Sequence, residues 1–467
     1  MGLLDRFSGD DSPRVAFVGI DGVPFSLLSD HFDEFENFAA LADEGTAGEI
    51  DSIVPPESSA CWPALTTGRN PGETGVYGFQ DREVGSYDPY VPMGREVQSD
   101  RVWDHVSDAD RESSVMNVPV TFPPQRDLQR MVSGFLSPGL DKAAHPEEFQ
   151  RYLENVGYRL DINPKLGHDV DKTEFIENAH ETIDARQTAF KHVIERDDWD
   201  LFFGVFMTTD RVNHFLYGDY DRGEGYHEEF MDFYRKLDRY VGELRATLPD
   251  DTTLIVASDH GFTREDYEVY CNEWLRQNGW LSYETDDYDE LGDIADDARA
   301  YSLIPGRFYI NREGREPRGC VPDDEYEDVR AELRADIEGM TGPDGNPVVD
   351  RVVAAEDAFR GDHADIAPDL VAIPNDGFDL KAGFDSDDAG SVFVPTRHVL
   401  RDRGEDPEAA EKIAPRNGMH SFDDTSLFLD APDATLGDCN LLDVAPTILR
   451  LMDVDYDRTD FDGASLV

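Results

Sequence analysis

Val15-Ala-Phe-Val-Gly-Ile20 is an unbroken apolar run that ends on Asp21, and the pattern recurs twice further along the chain. Leu201-Phe-Phe-Gly-Val-Phe-Met207 reaches Asp210 after two threonines, and Thr253-Leu-Ile-Val-Ala257 leads through Ser258 to Asp259 and His260. Runs without polar alternation suit strands covered on both faces, the environment of a parallel sheet. Between them, roughly 174–195 and 225–247 carry apolar residues at three- and four-residue spacing and are expected to be helices. Strand–helix alternation on this scale predicts an α/β fold, a doubly wound and mostly parallel sheet flanked by helices. In such sheets ligands bind at the carboxyl ends of the strands, where these aspartates would project.

From about 265 to 405 the character changes. Glu284 to Glu290 and on to Asp297 is strongly acidic, and Gly/Pro turns recur at Pro305-Gly306, Gly342-Pro343 and Pro374-Asn375. Core-like sequence returns with Asp443-Val-Ala-Pro-Thr-Ile-Leu-Arg-Leu-Met452, which has the pattern of a short amphipathic helix. The expected organisation is a discontinuous catalytic core over 12–264 and 406–467, a cap or lid inserted over 265–405, and a short tail over 1–11.

Composition narrows the partners. There are 101 acidic against 42 basic residues, a formal net charge of −59. Only seven of the basic residues are lysine. The acids are interleaved with Phe, Tyr, Val and Leu over the whole length, unlike a disordered acidic tail. Such a surface repels itself until concentrated salt screens it, so the composition resembles that of proteins from extremely halophilic archaea. It offers no basic patch for a nucleic-acid polymer or an anionic membrane. Cys61, Cys271, Cys320 and Cys439 share no CxxC spacing and read as small apolar residues in a reducing compartment. Met1 to Phe7 lacks a signal peptide's apolar stretch, and no run approaches the length of a membrane span, so a cytoplasmic protein is expected. No sequence feature indicates an oligomeric state.

Four short stretches carry chemistry. Pro55-Pro-Glu-Ser-Ser-Ala-Cys-Trp62 is a proline-opened turn running into a helical stretch, so the Ser58 hydroxyl would sit near free N–H groups and the positive end of a helix. Taken alone, Ser58 or Ser59 reads as an ordinary helix cap. Asp210-x-x-x-His214 places two potential ligands one helical turn apart. Asp259-His260 directly after a buried strand costs several kcal/mol unless a cation compensates it. Asn417-Gly-Met-His420 puts a histidine in a glycine-bearing loop, while the other nine histidines read as ordinary residues. The set Asp21, Ser58, Asp210, His214, Asp259, His260 and His420 mixes carboxylate and imidazole, which suits two divalent ions, zinc first and manganese or iron next. Two ions about 4 Å apart would clamp an in-line displacement at phosphorus and acidify a serine hydroxyl.

With these residues in place the chain resembles the alkaline phosphatase superfamily, most closely its type I phosphodiesterase/nucleotide pyrophosphatase branch. The similarity shows in Val18-Gly-Ile-Asp-Gly22, Leu65-Thr-Thr-Gly-Arg-Asn-Pro-Gly72 and Asn117-Val-Pro-Val-Thr-Phe-Pro-Pro124. It continues in Ser133-Gly-Phe-Leu-Ser-Pro-Gly139, Ser258-Asp-His-Gly-Phe262, Asn272-Glu-Trp-Leu275 and Asp443-Val-Ala-Pro-Thr447. The resemblance implies one ion on Asp210, His214 and His420, another on Asp21, Asp259 and His260, and Ser58 between them as the nucleophile that is phosphorylated. Departures bear on the substrate: serine replaces the usual threonine, Phe79 stands where a phosphate-holding asparagine is usual, and Thr74-Gly75 replaces His-Gly. The backbone N–H of Ser59 is one candidate for the missing oxyanion donor. The sulfatase signal Cys/Ser-x-Pro-x-Arg is absent from Ser58-Ser-Ala-Cys-Trp62.

The implied activity is two-metal hydrolysis of a small phosphate ester or diester. A phosphomonoesterase or phosphomutase on the same core is the alternative, favoured by a basic residue among Arg69, Arg211 and Arg416 in the site. A metal-stabilised binding protein without turnover is the alternative of another class. The insertion and the Pro119–Gly139 segment are expected to shape the substrate pocket. The charge excess predicts that the folded far-ultraviolet dichroism signal is lost as salt falls well below molar concentration. Equal thermal stability in dilute buffer and in molar salt would contradict the halophilic reading.

Overall fold

The computed structural model describes residues 12–83, 85–285, 288, 290–383, 390–396 and 416–467. The expected tail 1–11, part of the acidic Glu284–Glu290 stretch, and the end of the insertion with the return to the core over 397–415 lie outside the described residues.

The central sheet has eight strands in the spatial order Thr46–Ile50, Thr425–Leu429, Thr252–Ala257, Arg14–Ile20, Leu201–Phe206, Ser113–Val118, Arg130–Ser133 and Ala144–His145. Arg14–Ile20 lies at the middle and pairs in parallel with Leu201–Phe206 and Thr252–Ala257, and the Ser113–Val118 and Arg130–Ser133 strands extend the parallel region. Thr425–Leu429, Thr46–Ile50 and Ala144–His145 are the antiparallel members. The three apolar runs read from the sequence are thus the three adjacent central strands of a mostly parallel α/β sheet.

Their lack of polar alternation has a direct cause, because each strand feeds two cores. Ala16, Val18 and Ile20 pack with Phe202, Phe206 and Val256 against the helices Thr173–Arg196, Thr208–Arg222 and His227–Thr247. Val15 and Phe17 pack with Phe203, Val205 and Ile255 against Ser58–Thr67 and Val444–Leu451 on the other face. The first, third and last of these five helices are the three amphipathic stretches predicted above, with ends shifted by a few residues. Cys61, Cys271 and Cys439 are buried and all four cysteines are free. Among the described residues no helix is long and apolar enough to cross a membrane.

A third core lies in the segment expected to form the cap. Ala300–Leu303, Arg307–Ile310, Leu370–Pro374 and Val349–Ala354 form an antiparallel sheet that packs on the Tyr326–Glu338 helix. A small sheet joins cap to core. In it Gly261–Tyr270, which continues from Asp259-His260, pairs in parallel with Gly377–Lys381 and antiparallel with Phe393–Pro395 and Gly418–Ser421. The expected boundary at 265 therefore falls inside a strand.

Buried ion pairs tie the cap down as well. Arg307, fully buried, donates to the Asp81 carboxylate and to the Gln80 and Ile304 carbonyls. Arg82 pairs with Glu316 at 3.3 Å, and Arg315 bridges Glu316 and Asp369. Removing one member of such a pair strands the other charge away from water. Arg307→Ala is expected to lower the unfolding free energy by about 3–5 kcal/mol, read as a shift of the denaturant midpoint at constant slope.

Candidate active site

The strand ends deliver the functional groups to one place. Asp21 follows Arg14–Ile20 directly, and Asp259 and His260 follow Thr252–Ala257 after Ser258. Asp210 lies in the first turn of Thr208–Arg222, the helix that leaves Leu201–Phe206, and His214 follows one turn later on the same face. His420 sits opposite Phe262 in the Gly418–Ser421 strand. Ser58 opens the Ser58–Thr67 helix. All seven residues selected from the sequence meet here; six are buried and His420 is partly exposed.

Neighbouring side chains fix these groups. Trp62, one turn after Ser58, donates its indole N–H to Asp21 Oδ2 at 2.6 Å. The Ser58 hydroxyl donates to Asp21 Oδ1 at 3.3 Å and lies 3.1 Å from His260 Nε2. Gly22 N–H donates to Asp259 Oδ1 at 3.1 Å from a backbone with φ of +66°, where an L side chain would be strained. Thr209 Oγ1 donates to the Asp21 carbonyl at 2.6 Å and so locks the Thr208–Arg222 helix to the strand end.

The imidazoles share one arrangement. His214 Nδ1 lies 3.0 Å from the Gly418 carbonyl, His260 Nδ1 2.9 Å from that of Gly261, and His420 Nδ1 3.2 Å from that of Pro56. A carbonyl oxygen only accepts, so in each ring Nδ1 carries the proton and Nε2 carries a lone pair. Burial holds His214 and His260 below the usual imidazole range, which keeps them neutral.

Those lone pairs face each other and the carboxylates. His420 Nε2 is 3.1 Å from His214 Nε2 and 3.2 Å from Asp210 Oδ1. His260 Nε2 is 3.5 Å from Asp259 Oδ2 and 3.7 Å from Asp21 Oδ1. Asp259 Oδ2 is buried without a hydrogen-bond partner. Acceptors packed against acceptors repel, and this donor set fits divalent cations. The ligand atoms of Asp210, His214 and His420 lie within 4.8 Å of one another, and so do those of Asp21, Asp210 and His260. Asp210 thus stands in both groups, whereas the resemblance put Asp259 with Asp21 and His260.

The carboxyls record the same crowding. Burial, then the charges of Asp259 and Asp210, pushes Asp21 well above the usual carboxylate range, and burial pushes Asp259 up to about 7. Burial acts the same way on Asp210, and the Arg211 guanidinium, 3.2 Å from its Oδ2, opposes it.

A cavity of about 460 Å³ opens in front of Ser58, His214 and His420. Phe135 and Leu136 from the Pro119–Gly139 segment line it with Ile304, Pro305 and Leu380 from the cap, as both segments were expected to do. Phe79 lines it too. Of the three candidate arginines, Arg211 and Arg416 reach the cavity; Arg69 is not in its wall.

Two expectations are corrected. The helix cap is neither serine but Glu57, whose Oε2 accepts from Ser59 N–H at 3.2 Å. That same bond occupies the Ser59 N–H proposed as an oxyanion donor. Glu57, Asp161 and Lys381 also line the cavity and carried no sequence signal; only Glu57 stood next to a residue already singled out.

The chain matches the family model described as type I phosphodiesterase/nucleotide pyrophosphatase over residues 15–406. It belongs to that family. Solved structures share the fold of this phosphodiesterase-family chain at low identity. Phosphonoacetate hydrolase from Sinorhizobium meliloti 1021, in complex with phosphonoformate, superposes with a TM-score of 0.60 at 16% identity, covering 95% of this chain and 96% of its own. Alkaline phosphatase PafA gives 0.57 at 14% identity over 97% and 98% of the two chains. Murine ectonucleotide pyrophosphatase/phosphodiesterase 5 gives 0.52 at 12% identity over 97% of each. Curated proteins compared by sequence yield no match.

A raised carboxyl pKa in the folded state means that the ion-free fold binds more protons than the unfolded chain between about pH 4 and 7. Its stability therefore falls as pH rises through that window, by a few kcal/mol. Chelator-treated protein unfolded by denaturant at pH 5 and pH 8 should show this fall, and Asp259→Asn should flatten it. An identical slope in the variant counts against the assigned crowding.

Proposed function

We propose that this family member is a two-metal hydrolase of phosphate esters, of phosphodiesterase or nucleotide pyrophosphatase type, that acts through a phosphoserine at Ser58. One observation carries the reading: three imidazole lone pairs and three carboxylates converge on a buried hydroxyl at the floor of a roofed cavity. Asp210, His214 and His420 would hold one ion, and Asp21, Asp259 and His260 the other, with zinc the best match to the donors and manganese or iron next. Bound there, the ions would offset phosphoryl charge and make the hydroxyl more acidic.

The chain's own residues then define the displacement. The Ser58 Oγ–phosphorus bond forms as the bond from phosphorus to the leaving oxygen breaks; the serine proton is released and the leaving oxygen takes one up. Water next attacks the phosphoserine, freeing phosphate or a phosphomonoester and restoring the hydroxyl. Trp62 holds the Asp21 carboxylate, and through it the hydroxyl, in place. Arg211 bridges Asp161 and Asp210, so its charge is fixed at the reacting end of the cavity. That phosphonoacetate hydrolase and a nucleotide pyrophosphatase/phosphodiesterase share this fold supports a substrate bearing a phosphoryl or phosphonyl group.

A phosphomonoesterase or phosphomutase on the same core is the second reading, and the observation in its favour is a cavity that gathers Arg211 and Arg416. The test is a panel at high salt with added zinc or manganese: an aryl monoester, a bis-aryl diester, a nucleotide-type diester and a phosphonate. Ser58→Ala is expected to lower kcat/KM by at least about a thousandfold on the best substrate and to leave bound metal unchanged. Full activity in that variant would sink the nucleophile assignment. No turnover of any ester by metal-loaded wild type would favour the non-catalytic binding protein.

A further inference from the structure

The cavity wall furnished by the cap and the strands beside it holds two cations in a molecule otherwise dominated by acids. Lys381 ends the Gly377–Lys381 strand, Arg416 stands two residues before Gly418–Ser421, and both line the cavity. In a chain of formal charge −59 with seven lysines, two cations lining one cavity need a reason.

Their counter-charge is incomplete. Lys381 Nζ donates to the Asp379 carboxylate. Among the described residues the Arg416 guanidinium makes neither ion pair nor hydrogen bond, and it lies 5.9 Å from the centre of the Phe215 ring. Glu265 feels both cations but is fully buried, and neither of its carboxylate oxygens has a hydrogen-bond partner. Burial, then the charge of Asp379, pushes its carboxyl well above the usual range, so it adds little negative charge at neutral pH. Asp379 is paired to Lys381, and Glu268, whose charge also reaches Lys381, lies outside the wall, so Arg416 is the cation of this wall left without a counter-ion among the described residues.

Arg211, the third cation in the wall, is already committed to Asp161 and Asp210. The phosphoryl end thus has its own cation, and Lys381 and Arg416 are left for something else. Phe79, Phe135, Leu136 and Leu380 make the surrounding wall apolar, and there an ion pair is stronger than in bulk water.

We propose that Lys381 and Arg416 form a subsite for a carboxylate carried on the leaving group of the phosphate ester. An arginine fork without a counter-ion suits a carboxylate, and an ammonium in the same cavity wall adds to its attraction. The inference rests on the phosphoester-hydrolase reading, with Ser58 taking the phosphoryl group, and narrows the substrate class to phosphate esters of an acidic alcohol.

The test compares 4-carboxyphenyl phosphate with the neutral, similarly sized 4-carbamoylphenyl phosphate on metal-loaded protein at fixed salt. The ratio of their kcat/KM values, compared across enzyme forms, cancels intrinsic leaving-group reactivity. Arg416→Gln and Lys381→Gln are each expected to lower the ratio about tenfold, and Arg416→Lys to restore part of it. A ratio within about twofold of wild type in both glutamine variants overturns the subsite. Binding of the non-hydrolysable 4-carboxybenzylphosphonate against benzylphosphonate, followed by titration calorimetry, separates this failure from that of the parent reading. Tighter binding of the carboxylated probe that Arg416→Gln erases supports the subsite whatever the turnover; equal affinities in wild type overturn it even if every ester is hydrolysed. Melting temperature and metal content confirm that each variant is folded and loaded.

Discussion

Three histidine rings, each tied through Nδ1 to a main-chain carbonyl, aim their lone pairs at buried carboxylates, and much of the structure serves to hold that arrangement. The anchors are backbone atoms, so ring orientation depends on where whole strands run. Gly418 shows how tight this is: a Cβ there would stand 2.3 Å from the Asn213 carbonyl, and its own carbonyl is the partner of His214. Asn213 in turn donates to the Gly22 carbonyl at 2.6 Å and accepts from Tyr234 OH at 2.7 Å. The carbonyl anchors fix which nitrogen can coordinate, and the hydrogen-bonded residues around them fix where it points.

The cap adds what the sheet end lacks. Carboxylates and imidazoles can hold cations, but they give no shape to a substrate. The Gly261–Tyr270 strand couples the two, because it leaves the site at His260 and then becomes the shared edge for Gly377–Lys381 and Gly418–Ser421. One continuous strand therefore sets His260, the partner strand of His420 and the position of Lys381. The buried pairs Arg307–Asp81 and Arg82–Glu316 fasten the antiparallel cap sheet to the segment that follows the serine helix. Cap and nucleophile are in this way referred to one frame.

Charge is arranged on two scales. The surface excess of acids is spread over the sequence and says nothing about chemistry, whereas arginine is placed where it counts: Arg211 beside Asp210, Arg307 buried, Arg416 at the cavity wall. A guanidinium keeps its charge when buried and can serve two acceptors at once, as Arg211 and Arg315 do. With only seven lysines in the chain, Lys381 in the cavity is the exception.

Local sequence determined the central sheet, its amphipathic helices and all seven residues that meet at the site. Val15–Ile20, Leu201–Met207 and Thr253–Ala257 are apolar throughout because both faces of their strands are covered, and polar groups tolerated at the ends of such strands stand out against that background. The spacing of Asp210 and His214 was legible for the same reason: a helix repeats locally. Long-range pairing decided what local pattern could not. Glu57 caps the serine helix and takes the Ser59 N–H, Asp210 falls within reach of both ligand groups, and Lys381 and Arg416 come to line the same cavity. Such contacts leave no periodicity in the sequence, because each depends on where two distant backbones come to rest.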